Sequence, residues 1–321
     1  MRPTVITISA WGSPWVERAE RETLACLMAQ SHIESGDVLV HYATSDGPGI
    51  SPRIVERLSA MGASVTIENI GSLPNPRDLH EVAVRNGFAL ACRLGADWLN
   101  FCADHVFPSG YLRAAKEALT ADRIVVGTSI RATREGMFAE FGDFRKPRSG
   151  ADLLGAALRN VHPKMLDYFM TDPVSEAPAN PHHCFFTTDD GFACYQSQPA
   201  IFAINCDGLE LAMVEPGRCF DLGILGVALG RNEPVRFIDE MPSEFTLVSL
   251  DDESGVTTFG SFPVTPETVG EFTRTLGMPE RHAQWMLAHR TLYRCPPHVC
   301  AGLPATIDEG AAMARVREVV G

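Results

Sequence analysis

Residues able to do chemistry gather where apolar runs end. Asn100 to Pro108 reads NFCADHVFP and follows the strand-like run Ala96-Asp97-Trp98-Leu99. Asp104 and His105 stand at the tip of that run, with Ala103 in front of them. A carboxylate beside an imidazole could hold a divalent cation: Mg²⁺ and Mn²⁺ favour carboxylate oxygen, and imidazole also suits Mn²⁺ and later metals. A loop that binds no metal is the alternative. Asp221, in RCFDLG, opens a helix-like run. It could take a proton from a hydroxyl as a general base, or simply cap the helix; Asp189 and Asp190 are the fallback base. Ser9 and Trp11 follow the first strand-like run and Asp46 the second. An Asp before a Gly can equally make a turn of its own.

These residues need a frame. TVITIS is a buried strand, PWVERAERETLACLMAQ a helix, DVLVHYAT a strand closed by SDGPG, and SPRIVERLSAMG a helix with Pro at its start and Gly at its end. SVTIENI is a third strand, PRDLHEVAVRNGFALACRLG a long helix and DWLNFCA a fourth strand. Such alternation implies parallel βαβ units with ligands beyond the carboxyl ends of the strands. Those ends are Ser9 to Gly12, Ser45 to Gly47, Asn69 to Ser72 and Ala103 to His105. No GxGxxG follows the first strand and no GxxxxGK[ST] occurs, which counts against a dinucleotide-binding domain and a P-loop. A helix in SGYLRAAKEALTA and a strand in RIVVGTSI come next. From Arg131 to Pro199 the alternation breaks down. It resumes with PAIFAIN, CFDLGILGVALG and PVRFIDE, and EFTLVSL leads a tail with three helical patterns.

The order of these pieces resembles a family-2-like glycosyltransferase of the GT-A fold. CLMAQS is similar to that family's SL..Q, SDGPG stands at its DDGS turn, and Arg85-Asn86-Gly87 is similar to its ARNxG. GADWLNFCADHVFP follows its G.yi.flDaDd..p, and CFDLGILGVALGRNEPVRFI its EDxDL segment. The likeness covers about the first three quarters of the chain. It implies an α/β fold: a Rossmann-like mixed sheet flanked by helices, with a helical C-terminal extension. The expected division is a catalytic domain over 1–240, with a nucleotide-binding half (1–130) and an acceptor-side half with an irregular insertion (131–240), and a mainly helical extension over 241–321.

The implied activity is transfer of a sugar from a nucleoside-diphosphate sugar, UDP as first expectation, to an acceptor hydroxyl on a glycan, lipid-linked or small-molecule acceptor. Asp221 falls at the family's catalytic carboxylate, which implies an inverting outcome. Ser9, Trp11, Asp46, Arg85, Asn86 and Asp104 are the implied donor-binding residues. Asp104, His105 and His183 are the implied ligands of Mn²⁺ or Mg²⁺. Two departures stand out: Ala103 replaces the first acid of the DxD pattern, and Phe220 the acid before Asp221. A nucleotidyltransferase-like enzyme is the first alternative, although only Gly12 supplies glycine after the first strand. A non-catalytic binding protein of the same fold is the second. Arg131, Arg134, Arg145, Lys146 and Arg148 could hold an anion or form a solvated face.

Composition sets the outer limits. The 321 residues are 45% hydrophobic and 21% charged, enough for a sizeable core, and the net charge of -13 counts against nucleic acid as a partner. The nine cysteines are scattered without a CxxC, as expected of a reducing, cytoplasmic setting, and Cys295-Pro-Pro-His-Val-Cys300 is only a weak metal signal. No stretch approaches the ~18 apolar residues of a membrane span.

Overall fold

The structure is a computed structural model that describes all residues except 1, 32, 34–36, 46–48, 72–75, 180–181, 199, 215–219 and 253–259. The chain forms two compact units. The first comprises 1–126, 141–150 and 201–236; the second comprises 127–140, 151–200 and 237–321. The expected boundary at 240 therefore falls just inside the last segment of the second unit.

The first unit is built on a seven-stranded sheet. In it β1 (Thr4–Ala10) is flanked by β2 (Val38–Thr44) and by the central strand β4 (Asp97–Cys102), with β3 (Ser64–Asn69) beyond β2 at one edge. All these neighbours are parallel. The strand Ala200–Asn205 pairs antiparallel with β4, and Ile124–Gly127 and Val235–Phe237 complete the sheet. This is the mixed, helix-flanked GT-A-type sheet that the sequence order implies. Every residue of β1 is buried. That explains its unbroken β-branched run, since a strand covered on both faces has no reason to alternate.

Helices α1 (Gly12–Arg21) and α2 (Thr23–Met28) replace the single helix expected after β1. The break is at Glu22, whose φ of −115° and ψ of −84° leave the helical region. Next come α3 (Pro52–Ala60) and α4 (Pro76–Leu94), the latter closed by Gly95 at φ +57°. Helix α4 lies unusually close to β1. A Cβ at Gly87 would stand 1.8 Å from Thr7 Oγ1, so only glycine fits. The same Thr7 hydroxyl accepts from Trp98 Nε1 of β4 (2.9 Å). One glycine and one hydroxyl thus join α4, β1 and β4 inside the core.

The second unit carries a four-stranded sheet in the order Glu240–Met241, Thr291–Arg294, Gly191–Gln196, His183–Thr188. Its hairpin, His183–Thr188 with Gly191–Gln196, falls where sequence periodicity gave no element. The expected helix over PERHAQWMLAHRTLYR is cut short: Glu280–Ala288 is helical, and Thr291–Arg294 is a strand rich in Thr, Leu and Tyr. The helices Pro266–Thr275 and Glu309–Val320 pack so closely that a Cβ at Gly270 would lie 2.7 Å from Val319 Cβ.

Adding a methyl where α4 meets β1 forces the helix outward. Gly87→Ala is expected to lower stability by about 1–3 kcal/mol, read as a lower urea midpoint. An unchanged midpoint would show that α4 can back away without cost.

Candidate functional site

Parallel register aligns the ends of the first unit's central strands. Ser9 lies opposite Cys102, Ala10 opposite Thr44, and Thr44 opposite Asn69. The residues that follow β1, β2 and β4 therefore share one edge of the sheet, where open α/β sheets bind ligands.

At the end of β1, Ser9 Oγ lies 2.8 Å from His80 Nδ1 of α4. Trp11 is partly exposed; its ring centroid is 4.3 Å from that of Trp15, and the Arg18 guanidinium lies over Trp15 at 4.6 Å. Two indoles, inclined at 34°, and a guanidinium make an aromatic, cation-backed patch on which a planar or sugar ring could pack. Asp46 lies outside the described residues. Its neighbour Ser45 is buried and accepts the Gly12 amide at 3.3 Å.

The turn after β4 is tightly organised. Cys102, Asp104 and His105 offer ligand atoms that all lie within 4.8 Å of one another. The Thr23 hydroxyl sets this geometry. It lies 2.7 Å from Cys102 O and 2.9 Å from His105 O, and it accepts the His105 amide at 3.1 Å. One hydroxyl proton shared between two carbonyls, with a lone pair for the amide, fixes both ends of the Ala103–Asp104 turn. Ala103 is fully buried and Asp104 nearly so.

The His105 ring is also oriented from within. Its Nδ1 accepts the Cys102 amide at 3.1 Å. In the neutral ring this places the proton on Nε2. To ligate a cation through Nδ1, His105 must give up that amide; through Nε2, it must move its proton toward an N–H. Among the described residues the donor set is thus one carboxylate, one thiol and an imidazole already engaged at Nδ1. It fits a Mg²⁺ or Mn²⁺ ion that reaches Asp104 together with phosphate oxygens better than an ion held by protein ligands alone.

Asp221 lies in the first turn of the helix Phe220–Gly230. Phe220 packs edge-on against Phe88 (5.4 Å) and Trp98 (6.2 Å), and the Arg85 guanidinium lies over its ring at 5.4 Å. Burial of the Asp221 carboxyl pushes its pKa from the ordinary aspartate value up to about 6. The group is then ionised at neutral pH yet more basic than a solvated aspartate.

Arg85 and Asn86 have structural partners. Arg85 Nε donates to Glu81 at 3.1 Å. Asn86 Nδ2 donates to Glu68 Oε1 at 2.7 Å, and Glu68 Oε2 lies 2.7 Å from His41 Nε2. His183 belongs to the second unit. There its ring packs against Tyr168 (4.0 Å) and Phe185 (5.2 Å), and burial holds it well below the usual imidazole range, hence neutral. Asp189 and Asp190 form the hairpin turn, with Asp190 paired to Arg294. Much of the basic cluster is paired within its own units: Arg131 with Asp251 (2.6 Å), Arg134 with Asp252 (3.1 Å) and Arg145 with Asp143 (2.9 Å).

Sequence reasoning missed three contributors. His80 sits inside an amphipathic helix without a neighbour that marks it. Thr23 reads as one more member of the apolar face of a helix. Cys102 reads as a buried thiol at the end of a strand.

The sequence matches no model of a known protein family, and no curated protein matches it. Similar solved structures exist. Residues 1–349 of S. aureus TarS, crystallised with UDP-GlcNAc, share 13% identity over 90% of this chain and 71% of that one, with a TM-score of 0.40. A 4-diphosphocytidyl-2C-methyl-D-erythritol synthase gives 16% identity over 42% and 65%, with a TM-score of 0.27. Mouse xyloside xylosyltransferase 1 gives 9% over 44% and 57%, with a TM-score of 0.26. Scores this low decide nothing, and the GT-A-type fold rests on the chain's own strand order. No helix among the described residues is long and apolar enough to cross a membrane.

The Thr23 hydroxyl is the testable hinge of this geometry. Thr23→Val keeps the shape but removes the bonds to the turn, and should cost roughly 1–3 kcal/mol. Thr23→Ser should restore most of it. Equal thermal midpoints for wild type and Thr23→Val would show that the turn holds itself.

Proposed function

We propose that the chain is a glycosyltransferase that uses a nucleoside-diphosphate sugar. The observation that carries this is the register that brings Ser9, Trp11 and the Cys102–His105 turn to one edge of a parallel sheet. The first unit takes the donor, UDP being the first choice. Trp11 stacks on a ring of the donor, Ser9 and Asp46 contact the nucleoside, and Arg85 and Asn86 act from behind, by holding the helix and strands that shape the pocket. Asp104 faces the diphosphate. A cation brought with that diphosphate would be held by Asp104, with His105 following if its ring turns, and would stabilise the charge on the leaving group. His105, kept in one orientation by the Cys102 amide, otherwise presents an N–H to an oxygen of the donor.

Asp221 is the proposed base. Its carboxylate takes the proton of the acceptor hydroxyl as the oxygen attacks the anomeric carbon, and the nucleoside diphosphate departs from the opposite face. Such a displacement inverts the anomeric centre. A glycan, a lipid-linked sugar or a small molecule would serve as the acceptor.

The test is incubation of the purified protein with several nucleotide sugars, with Mn²⁺ or with a chelator, and measurement of released nucleoside diphosphate. Release is expected, and Asp221→Asn should cut it by ~10²–10⁴-fold while nucleotide binding persists. The base must be ionised, so kcat/KM should rise with pH through about 6 and level off above it. No release and no thermal shift with any nucleotide would sink the reading. Release of pyrophosphate from a sugar phosphate and a nucleoside triphosphate would instead favour a nucleotidyltransferase. The cation has its own arm: Asp104→Ala should abolish any extra thermal shift that Mn²⁺ gives in the presence of UDP. If Asp104→Ala and His105→Ala both keep that shift, the cation is held elsewhere.

A further inference from the structure

The first unit holds two neighbouring cysteines at the other end of its strands. Helix α4 ends in a tight turn: the Gly95 amide donates to Cys92 O (3.1 Å) and the Ala96 amide to Ala91 O (2.9 Å). Ala96 O then accepts the Cys206 amide at 3.0 Å, just past the strand Ala200–Asn205. These bonds set Cys206 beside the last turn of α4, close enough that its thiol and that of Cys92 perturb each other's ionisation. They differ in setting. Cys206 is fully buried, whereas Cys92 is partly exposed and lines a cleft of about 480 Å³ with Arg93, Gly208, Leu209 and Glu210.

We propose that Cys92 and Cys206 form a peroxide-responsive thiol pair, in which Cys92 is oxidised from the cleft and Cys206 resolves it to a disulfide. The asymmetry assigns the roles. Cys92 is reachable by a small oxidant, and its nearness to Cys206, with Arg93 beside it, lowers its pKa and favours the thiolate. Cys206 is fully buried, and desolvation holds it as the thiol.

In the first step the Cys92 thiolate attacks one oxygen of hydrogen peroxide. The O–O bond breaks, hydroxide leaves and takes up the proton that Cys92 released, and Cys92 becomes a sulfenic acid. In the second, the Cys206 sulfur attacks the Cys92 sulfur. The S–O bond breaks, and the hydroxyl departs with the Cys206 proton as water. Two thiols lose two electrons in all, and one peroxide is reduced to two waters. The bond would tie the end of α4 to the end of Ala200–Asn205. Asp97 at this end pairs with Thr4, whereas Cys102 at the far end of β4 pairs with Ser9.

The test uses the full chain treated with hydrogen peroxide, digested without reduction and mapped by mass spectrometry. A peptide pair linked through Cys92 and Cys206 is expected. Cys206→Ser should leave a sulfenic acid at Cys92 that dimedone traps, and Cys92→Ser should leave Cys206 unmodified. Oxidation should also raise the melting midpoint of the wild type by ~5 °C and leave that of Cys92→Ser unchanged. The proposal is overturned if peroxide leaves both thiols reduced, or if either is linked to any other cysteine. The wild-type map decides this even if a variant fails to fold.

Discussion

The contact of Gly87 with Thr7 is the constraint on which much of the first unit depends. Because glycine has no Cβ, α4 can settle against β1, and the Thr7 hydroxyl is left in reach of the Trp98 indole. Trp98 and Phe88 then form the surface on which Phe220 rests, and Asp221 is the next residue along the chain. The same seating of α4 brings His80 to Ser9. A packing detail inside the core thus helps to set where a carboxylate and an imidazole stand at the periphery. Such placement is stiff, because cores of this density respond to a single added methyl.

A second layer of control comes from hydroxyls that bond to backbone. Thr23 holds the turn after β4, and Ser45 accepts from Gly12 beside Trp11. Neither needs charge. In a chain with a net charge of -13 this suits the approach of an anionic ligand, since the edge is shaped by neutral groups and not by a further set of carboxylates.

Much of this was legible in the sequence. Period and punctuation place β1 to β4, α3 and α4 close to where they lie, because each is long, apolar and bounded by Gly, Pro or polar turns. The helix break at Glu22 was not legible, because nothing in the run PWVERAERETLACLMAQ marks it. The hairpin around Asp189 and Asp190 was hidden for another reason. His183 to Gln196 is buried over much of its length, so it does not alternate, and its turn residues imitate a catalytic pair of acids. The Arg85-Asn86-Gly87 run was recognisable as a pattern, but its physical content is uneven: Gly87 is required by contact, whereas Arg85 and Asn86 work through Glu81, Phe220 and Glu68. Cys92 and Cys206 could not have been paired by spacing, since only the sheet and the turn at Ala96 bring them together.

Ala103 gains a different meaning from its position. In the sequence it reads as an acid that has gone missing. In the fold it is sealed, with none of its surface open. A carboxylate placed there would have to be buried with the residue, and burial disfavours its ionised form. A simple reversion to the acidic pattern would therefore trade packing for a neutral acid, not recover a ligand. The turn after β4 has closed that route, and the cation proposed for this edge would have to be met by Asp104 or by the ring beside it.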